Sequence, residues 1–462
     1  MFKSHNLKLI MKNSYFKALS IFAFVVAISL ISCREKTVYK TVKETEPFTM
    51  KKINTITLPT AIEWSTKENA AKAHIQKLET ILAQPANKVN YISALTEVSI
   101  EVLISNRSKS IVKFWSPYLA RESSLQDFFT EWLTYTPTTS NPGKYIEYWD
   151  YLVNTESGLL LVNDNSFKLW FTTFLNFHGD FINSTSSIST LAEWMKYKGT
   201  TAHPFNIDDY ERPDSSSPTG GFKSFNQFFL RNLKAGQRPL CSETTPNDVI
   251  VAPSDGGIFY LNRADGTVNI ENLKNTDYEL PGKSDRFDLK QALPGYYNHF
   301  LGGDLLDILL WFTDYHHFHA PVNGTIVHQG MYNGSYNYDF GDYDPIDFFA
   351  PNLSSNSNKA EWYEKLGKHQ RYVWIIKTKE FGLVAMVAIG FWGVGSIINA
   401  VKDNTTIEQG QYMGHFGYGG SSIVLAFNKD VNIEFKVGSQ PVEDPNNPTL
   451  IKVRQCLGKL IQ

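Results

Sequence analysis

The sequence predicts an α+β fold, in which a helical N-terminal region is followed by a β-rich C-terminal domain. Between residues 61 and 207 the apolar side chains recur at helical spacing, as in AKAHIQKLETILAQ. From residue 222 onward, short apolar runs of strand length alternate with glycine, proline and asparagine turns, as in RYVWIIKTK and SSIVLAF. The polar stretch 208–221 separates the two patterns. We therefore predict one domain over 61–207 and a second over 208–462.

The length and the charge balance limit the function classes. A chain of 462 residues is long enough for more than one core. Lys and Arg total 44 against 46 Asp and Glu, which gives a net charge of −2. This balance gives no electrostatic reason to expect a nucleic acid or an acidic macromolecule as a partner.

The N-terminus carries an export pattern. Four lysines precede an apolar run over 18–32, which is too short to span a bilayer comfortably, and Cys33 follows it. The tetrapeptide LISC at 30–33 resembles a bacterial lipobox, in which the cysteine is lipidated. We expect a lipoprotein-type signal peptide over 1–33 and a charged tether over 34–60; the alternative is an uncleaved membrane anchor. Either places the remaining chain on a membrane of the bacterial cell envelope, outside the cytoplasm.

Two further cysteines, Cys241 and Cys456, lie far apart in the sequence. They can form one disulfide in an oxidising compartment or remain thiols, and two cysteines do not make a disulfide framework. A long polar stretch, 335–358, interrupts the β-rich domain, and loops of this length often gate or line a site.

Two short segments carry candidate acid–base groups. The segment DYHHFHAPVNG contains His316, His317 and His319, which suit either proton transfer or, less well, a zinc site. No HExxH or CxxC motif supplies further metal ligands, so no metal is predicted. In VAPSDGG, Asp255 suits a turn and could also orient a histidine, as the carboxylate of a catalytic triad does.

A third segment, GHFGYGGSSIVLAF, places glycines and serines at the entrance of an apolar strand. Its pattern does not fit a lipase nucleophile elbow, a phosphate-binding loop or a Rossmann turn. It suits a serine that attacks its own preceding peptide bond, since Gly420 permits a strained approach. The resulting ester can eliminate, which leaves Ser421 as an N-terminal pyruvoyl group. Such a ketone forms a Schiff base with an amine and accepts electrons during decarboxylation.

Taken in order, these segments resemble the phosphatidylserine decarboxylase family. The likeness begins with FKSFNQFFLRNLKAGQRPL, continues through VAPSDGG, DYHHFHAPVNG and LVAMVAIGFWGVGSI, and ends with EQGQYMGHFGYGGSSIVLAF. The resemblance implies a β-rich, phosphatidylserine-decarboxylase-like catalytic domain that self-cleaves between Gly420 and Ser421. It also implies a covalent pyruvoyl group from Ser421 and no cofactor from outside the chain.

Roles follow from the positions that match the family's motifs. Asp255 and His319 match the aspartate and histidine of the self-cleavage triad, with Ser421 as its serine. His316 matches a second histidine implicated in decarboxylation. Two departures are the double glycine before Ser421, where the family has L-G-S-T, and His317, where arginine is common.

These departures and the helical N-terminal region resemble a branch that includes decarboxylases of free aromatic amino acids such as tryptophan. The family resemblance implies a pyruvoyl-dependent carboxy-lyase that converts phosphatidylserine to phosphatidylethanolamine, a substrate to which the expected membrane tether gives access. The alternative is the same chemistry on a free amino acid, and a distant one is an inactive or metal-binding lipoprotein.

Overall fold

The computed structural model describes residues 56–105, 115, 118, 124–153, 155–200, 203–242, 246–262, 289–332, 369–391, 396–437, 440–441 and 449–461. The predicted signal peptide with Cys33, most of the tether and the loop 335–358 lie outside the described residues.

The N-terminal region is helical, as predicted. Its α-helices are α1 (Glu68–Gln76), α2 (Leu78–Leu82), α3 (Pro85–Ser105), α4 (Ser124–Leu133), α5 (Lys144–Val153), α6 (Glu156–Asn163), α7 (Asn165–Ile182) and α8 (Leu191–Trp194). Side chains cap the N-termini of two of these helices. The Thr155 side chain accepts a hydrogen bond from the Gly158 N–H at the start of α6, and the Asp164 side chain accepts one from the Phe167 N–H at the start of α7. Short 3₁₀ turns occupy Trp64–Thr66, Thr185–Ile188, Ile207–Asp209, Pro246–Asp248 and Tyr297–His299.

Aromatic rings fill the helical core. Phe129 is fully buried, and its ring lies 4.8 Å from that of Trp170 and 5.2 Å from that of Trp149. Such edge-to-face pairs add to the free energy gained by removing the rings from water. Four tryptophans of this region are at most 3% exposed: Trp132, Trp149, Trp170 and Trp194.

The C-terminal region is β-rich, which confirms the predicted α+β class. Two short helices, α9 (Phe225–Phe229) and α10 (Leu289–Ala292), accompany its strands. The strands are β1 (Val249–Val251), β2 (Gly256–Asn262), β3 (Leu305–Leu310), β4 (His317–His319), β5 (Gly324–Tyr332), β6 (Gln370–Lys377), β7 (Leu383–Phe391), β8 (Ile397–Asn399), β9 (Thr406–Ile407), β10 (Tyr412–Phe416), β11 (Gly420–Phe427), β12 (Ile433–Val437), β13 (Gln440–Pro441), β14 (Thr449–Ile451) and β15 (Cys456–Leu460).

The strands form antiparallel sheets. The largest has eight strands in the order β14-β2-β3-β11-β7-β6-β5-β9. A sheet of four strands has the order β1-β15-β12-β13, and a sheet of three has the order β4-β10-β8. Strand β11 therefore lies inside the largest sheet, paired with β3 on one side and β7 on the other.

The two faces of the large sheet pack against different cores. Val387 and Val424 belong to the cluster that contains the aromatic residues of the helices. Met386 and Ile423, one position away on the same strands, belong to a second cluster within the β-rich region. Successive side chains of a strand point to opposite faces. The helical region therefore covers one face of the sheet that contains β11.

Cys241 and Cys456 form a disulfide, with Cα atoms 5.1 Å apart and a sequence separation of 215. This settles the pairing that the sequence leaves open. Cys241 precedes β1, and Cys456 begins β15, which is the partner of β1. In the part of the chain that the structure describes, no helix combines the length and apolarity needed to cross a bilayer.

Candidate active site

Ser421 is the second residue of β11 and is 1% exposed. Its backbone pairs with Leu310 of β3 and Gly390 of β7, so the start of the strand is held from both sides. Gly419, just before the strand, has φ +140°, a conformation that L-residues with a Cβ rarely adopt. Gly419 thus supplies a backbone conformation that suits glycine just before the strand, whereas Gly420 already lies in β11 and pairs with Phe391.

His316 contacts Ser421 directly. The imidazole Nε2–H donates to the Trp311 carbonyl oxygen at 2.9 Å. Because that bond requires the proton on Nε2, Nδ1 is free to accept from the Ser421 hydroxyl, whose Oγ lies 3.4 Å away. Burial lowers the pKa of His316 to about 3, and the ring packs 4.0 Å from that of Phe229. The residue is therefore neutral and can accept a proton.

His319 has a different environment. Its Nδ1–H donates to the Gly410 carbonyl oxygen at 2.9 Å. Its Nε2 is buried and has no hydrogen-bond partner among the described residues. Burial lowers the pKa of His319 to about 4, so this ring is also neutral at pH 7. His319 therefore presents an unused acceptor in the protein interior.

Asp255 is held by cations and a backbone amide. Its carboxylate accepts from Arg238 Nε at 3.2 Å and Nη2 at 3.1 Å, and Lys452 Nζ lies 3.3 Å away. The Val453 N–H donates to it at 2.8 Å. Burial acts to raise the pKa of Asp255, but Lys452 and Arg238 outweigh it and hold the pKa below its ordinary value. Asp255 is consequently a buried, ionised carboxylate.

A family model described as phosphatidylserine decarboxylase matches residues 225–444, which include all four of these side chains. The phosphatidylserine decarboxylase proenzyme of Chlamydia trachomatis is 31% identical over 247 residues, which cover 53% of this chain and 73% of the relative. The chain belongs to the phosphatidylserine decarboxylase family.

Other relatives within the phosphatidylserine decarboxylase family are longer. Proenzyme 3 of Schizosaccharomyces pombe is 30% identical over 280 residues, which cover 59% of this chain and 26% of the relative. Proenzyme 2 of rice is 27% identical over 317 residues, which cover 68% of this chain and 45% of the relative. The chain thus spans about a quarter of the yeast relative and under half of the rice relative.

The structure brings together some of the residues that match phosphatidylserine decarboxylase motifs. Ser421 and His316 are in contact, although they lie 105 positions apart in the sequence. Asp255 and His319 form no hydrogen bond with each other; Asp255 bonds to the cations and His319 to Gly410. Their roles in self-cleavage stay predictions.

His317, the departure from the family pattern, is buried beside this site. Its Nε2–H donates to the Leu230 carbonyl oxygen at 3.1 Å, and its ring stacks on that of Tyr315 at 4.2 Å. Each of the three neighbouring histidines therefore donates one ring N–H to a carbonyl on a different segment. The described residues contain no group of three or more His, Cys, Asp or Glu side chains placed to hold a metal ion, so the zinc hypothesis gains no support here.

Ser422 anchors the strand on the face opposite to Ser421. Its hydroxyl donates to the Asp307 carboxylate and also lies 3.1 Å from the Ile308 carbonyl oxygen. Both partners belong to β3, so the bonds tie the start of β11 to its neighbour.

The helical region also reaches the site. The Tyr418 hydroxyl, three positions before Ser421, donates to the Pro142 carbonyl oxygen at 3.1 Å. The Tyr418 ring lies 5.3 Å from that of Phe229, which packs on His316. Two aromatic residues, Phe229 and Tyr418, therefore connect His316 to the helical region.

Two residues in contact with Asp255 were missed from the sequence. Arg238 lies inside a segment that resembles the phosphatidylserine decarboxylase family, so that segment was the available signal. Lys452 lies between β14 and β15, where no motif marks it. A third, Arg231, was also missed; its Nη2 donates to the Asp314 carbonyl oxygen at 3.2 Å and so fixes the chain two residues before His316.

Proposed function

We propose that the chain is a phosphatidylserine decarboxylase that cleaves itself between Gly420 and Ser421. The observation that carries the proposal is the placement of Ser421. This serine is buried at the start of an internal strand, follows Gly419 at φ +140°, and has its hydroxyl against a neutral imidazole. A serine that only stabilised the start of a strand would not require this combination of burial, a preceding glycine with positive φ and a contact with an imidazole.

Self-cleavage begins when Ser421 Oγ attacks the carbonyl carbon of Gly420. The bond to the Ser421 nitrogen breaks, the nitrogen takes the hydroxyl proton through an imidazole, and an ester joins the Ser421 oxygen to Gly420. A base then removes the Cα proton of Ser421, and Gly420 leaves as a carboxylate. The remaining unsaturated residue adds water and releases ammonia, which leaves the pyruvoyl group at position 421.

Two neutral imidazoles are available for these proton transfers. We assign the cleavage steps to His319, because its Nε2 is unpartnered among the described residues and its position matches the histidine of the family's self-cleavage triad. We assign to His316 the proton that replaces CO₂ on the product, because its Nδ1 lies beside the atoms of residue 421. Arg238 and Lys452 keep Asp255 ionised, as its proposed role in the self-cleavage triad requires.

The surroundings of Ser421 fit a pyruvoyl group. The residue is 1% exposed, so bulk water is excluded; Phe229 packs on the adjacent His316, and Tyr418 packs on Phe229. A pyruvoyl group supplies an electrophilic ketone that condenses with the substrate amine and accepts the electron pair left by CO₂. The backbone pairing of β11 with β3 and β7 would hold residue 421 in place after the chain is cut.

The location that we propose is outside the cytoplasm, on a membrane of the bacterial cell envelope, with a lipid on Cys33 as the anchor. The lipobox-like LISC supports the anchor. The disulfide between Cys241 and Cys456 supports an oxidising compartment, because cytosolic thiols are kept reduced. A membrane tether would also bring the enzyme to a phospholipid substrate.

Mass spectrometry of the purified, reduced and denatured protein tests the cleavage. We expect two fragments, the second of which begins with a pyruvoyl group at position 421. An uncut chain with an unmodified Ser421 would overturn the proposed function. Assays of CO₂ release from phosphatidylserine vesicles and from free tryptophan then separate the proposed substrate from the alternative.

A further inference from the structure

Arg454 is an almost fully buried residue whose charge pairs with no carboxylate among the described residues. It lies in the turn between β14 and β15 and is 3% exposed. Its Nε donates to the Gly410 carbonyl oxygen at 3.1 Å. Neither of its Nη atoms has a hydrogen-bond or ion-pair partner in the part of the chain that the structure describes. A guanidinium stays protonated at any ordinary pH, so burial without a carboxylate is costly.

The backbone conformation at position 454 is one that favours glycine over arginine. Arg454 has φ +72°, in the left-handed region that glycine adopts freely and that strains a residue with a Cβ. Its own N–H donates to the Ala252 carbonyl oxygen at 2.8 Å, and its carbonyl accepts from the Cys241 N–H at 2.9 Å. These two hydrogen bonds hold the backbone of the turn in place, and a glycine could adopt the same backbone conformation with less strain.

Space for the side chain is provided by Gly410. A Cβ on Gly410 would lie 3.0 Å from Arg454 Nε and 2.8 Å from a methyl of Leu240, and Gly410 itself has φ +73°. The absence of a side chain at Gly410 thus lets the arginine side chain pack directly against the Gly410 backbone.

The guanidinium lies beside the proposed catalytic histidine. The Gly410 carbonyl oxygen accepts from Arg454 Nε at 3.1 Å and from His319 Nδ1 at 2.9 Å. His319 Nε2, like the Arg454 Nη atoms, lacks a partner among the described residues. Arg454 and His319 therefore meet at one carbonyl oxygen, and each keeps nitrogen atoms that have no partner among the described residues.

We propose that Arg454 binds the phosphodiester of the lipid substrate. This inference rests on the proposed function and deepens it, since a serine phospholipid brings two oxyanions, a carboxylate and a phosphodiester. An arginine paired with the carboxylate would stabilise the ground state, and that stabilisation would be lost as the charge leaves with CO₂. The phosphodiester keeps its charge throughout the reaction, so pairing with it aids binding without opposing the chemistry.

Calorimetry with two probes tests this assignment on the purified protein. Glycerophosphocholine carries a phosphodiester but no primary amine or carboxylate, and N-acetylserine carries a carboxylate but no phosphodiester. We expect Arg454→Gln and Arg454→Gly to weaken the binding of glycerophosphocholine by about ten- to a hundredfold, the range for a charged hydrogen bond. The binding of N-acetylserine should change less than about threefold.

Three variants separate binding from folding. Arg454→Gly removes the backbone strain and should keep the wild-type circular dichroism spectrum and the disulfide. Arg454→Lys should retain part of the affinity, because it keeps the charge but loses the planar pair of donors. Arg212→Gln removes an arginine that pairs with Asp208 near the surface and should leave the affinity unchanged.

Equal affinity of wild type and Arg454→Gly for glycerophosphocholine would overturn the inference, and so would no measurable binding to the wild type. A loss confined to N-acetylserine would overturn the phosphodiester assignment. Failure of the proposed function is a separate result: the wild type would release no CO₂ from phosphatidylserine, although binding of glycerophosphocholine still depended on Arg454.

Discussion

The Ser421 hydroxyl and the His316 imidazole lie 3.4 Å apart, in a region where both residues are at most 1% exposed. The tautomer of His316 is fixed by its bond to the Trp311 carbonyl oxygen, so the nitrogen that faces Ser421 is an acceptor. Under the proposed function, this contact places a neutral base beside the atoms of residue 421.

Removal of the Ser421 hydroxyl should prevent cleavage. We expect Ser421→Ala to remain a single chain, because no other atom can attack the Gly420 carbonyl from that position. Denaturing electrophoresis under reducing conditions measures this. Ser422→Ala is the matched control: its hydroxyl bonds to Asp307 on the opposite face, so the variant should be cut although less stable. Two fragments from Ser421→Ala would contradict the assignment of the nucleophile.

The two histidines should separate cleavage from turnover. We expect His319→Ala and Asp255→Asn to lose most cleavage, and His316→Ala to be cut but to release CO₂ at least about a hundredfold more slowly, the range for loss of a general acid–base group. Each variant is scored for both fragments and CO₂. The reverse pattern, with His316→Ala uncut and His319→Ala cut, would mean that the observed contact with Ser421 drives the cleavage.

Asp314 should make stability depend on pH. Burial raises the pKa of Asp314 to about 6, with Lys452 acting in the opposite direction. A raised carboxyl pKa favours the protonated folded state, so its contribution is present below the ordinary value of 3.8 and is lost as the pH rises through about 6. Asp314→Asn, measured in the uncut Ser421→Ala background, should therefore raise the free energy of unfolding above pH 6, by at most about 3 kcal/mol.

The same comparison below pH 4 should show no gain for Asp314→Asn, because both states of the parent are then protonated. Asp208→Asn, at an exposed position, should change the free energy of unfolding by less than about 0.5 kcal/mol at either pH. Urea unfolding at a series of pH values provides the measurement. A constant difference across the range would exclude titration of Asp314 as its cause.

The aromatic core should dominate the stability of the helical region. Phe129→Ala should lower the free energy of unfolding by about 3–5 kcal/mol, because it leaves a cavity among buried rings. Leu169→Ala, on the neighbouring helix α7 but 73% exposed, should cost less than about 0.5 kcal/mol. Thermal unfolding of both in the Ser421→Ala background tests this, and similar costs would refute the assignment of the core.

Strands with strong local signals were predictable from the sequence. The apolar runs that became β6, β7 and β11 are bounded by turn residues, and each strand follows its run closely. Strand β3, however, carries Asp307 within an apolar run, and its place beside β11 depends on pairing across the sheet. No local pattern encodes such a pairing.

The site was predictable where chemistry and motif coincide, as at Ser421 and His316. The arrangement around Asp255 was not predictable, because its two partners are far apart in the sequence: Arg238 precedes β1, and Lys452 follows β14. Arg454 gave no signal, since a single arginine in a turn of the sequence is ordinary until its backbone angle and its burial are known.

The disulfide has a consequence for the number of molecules that cleavage makes. Cys241 lies before the proposed cut and Cys456 after it, so the two products would stay joined by one covalent cross-link. Unfolding would then release one particle rather than two, and refolding would remain independent of protein concentration. After chemical reduction, reassembly would become a bimolecular reaction between a large and a small polypeptide, with the associated loss of translational entropy.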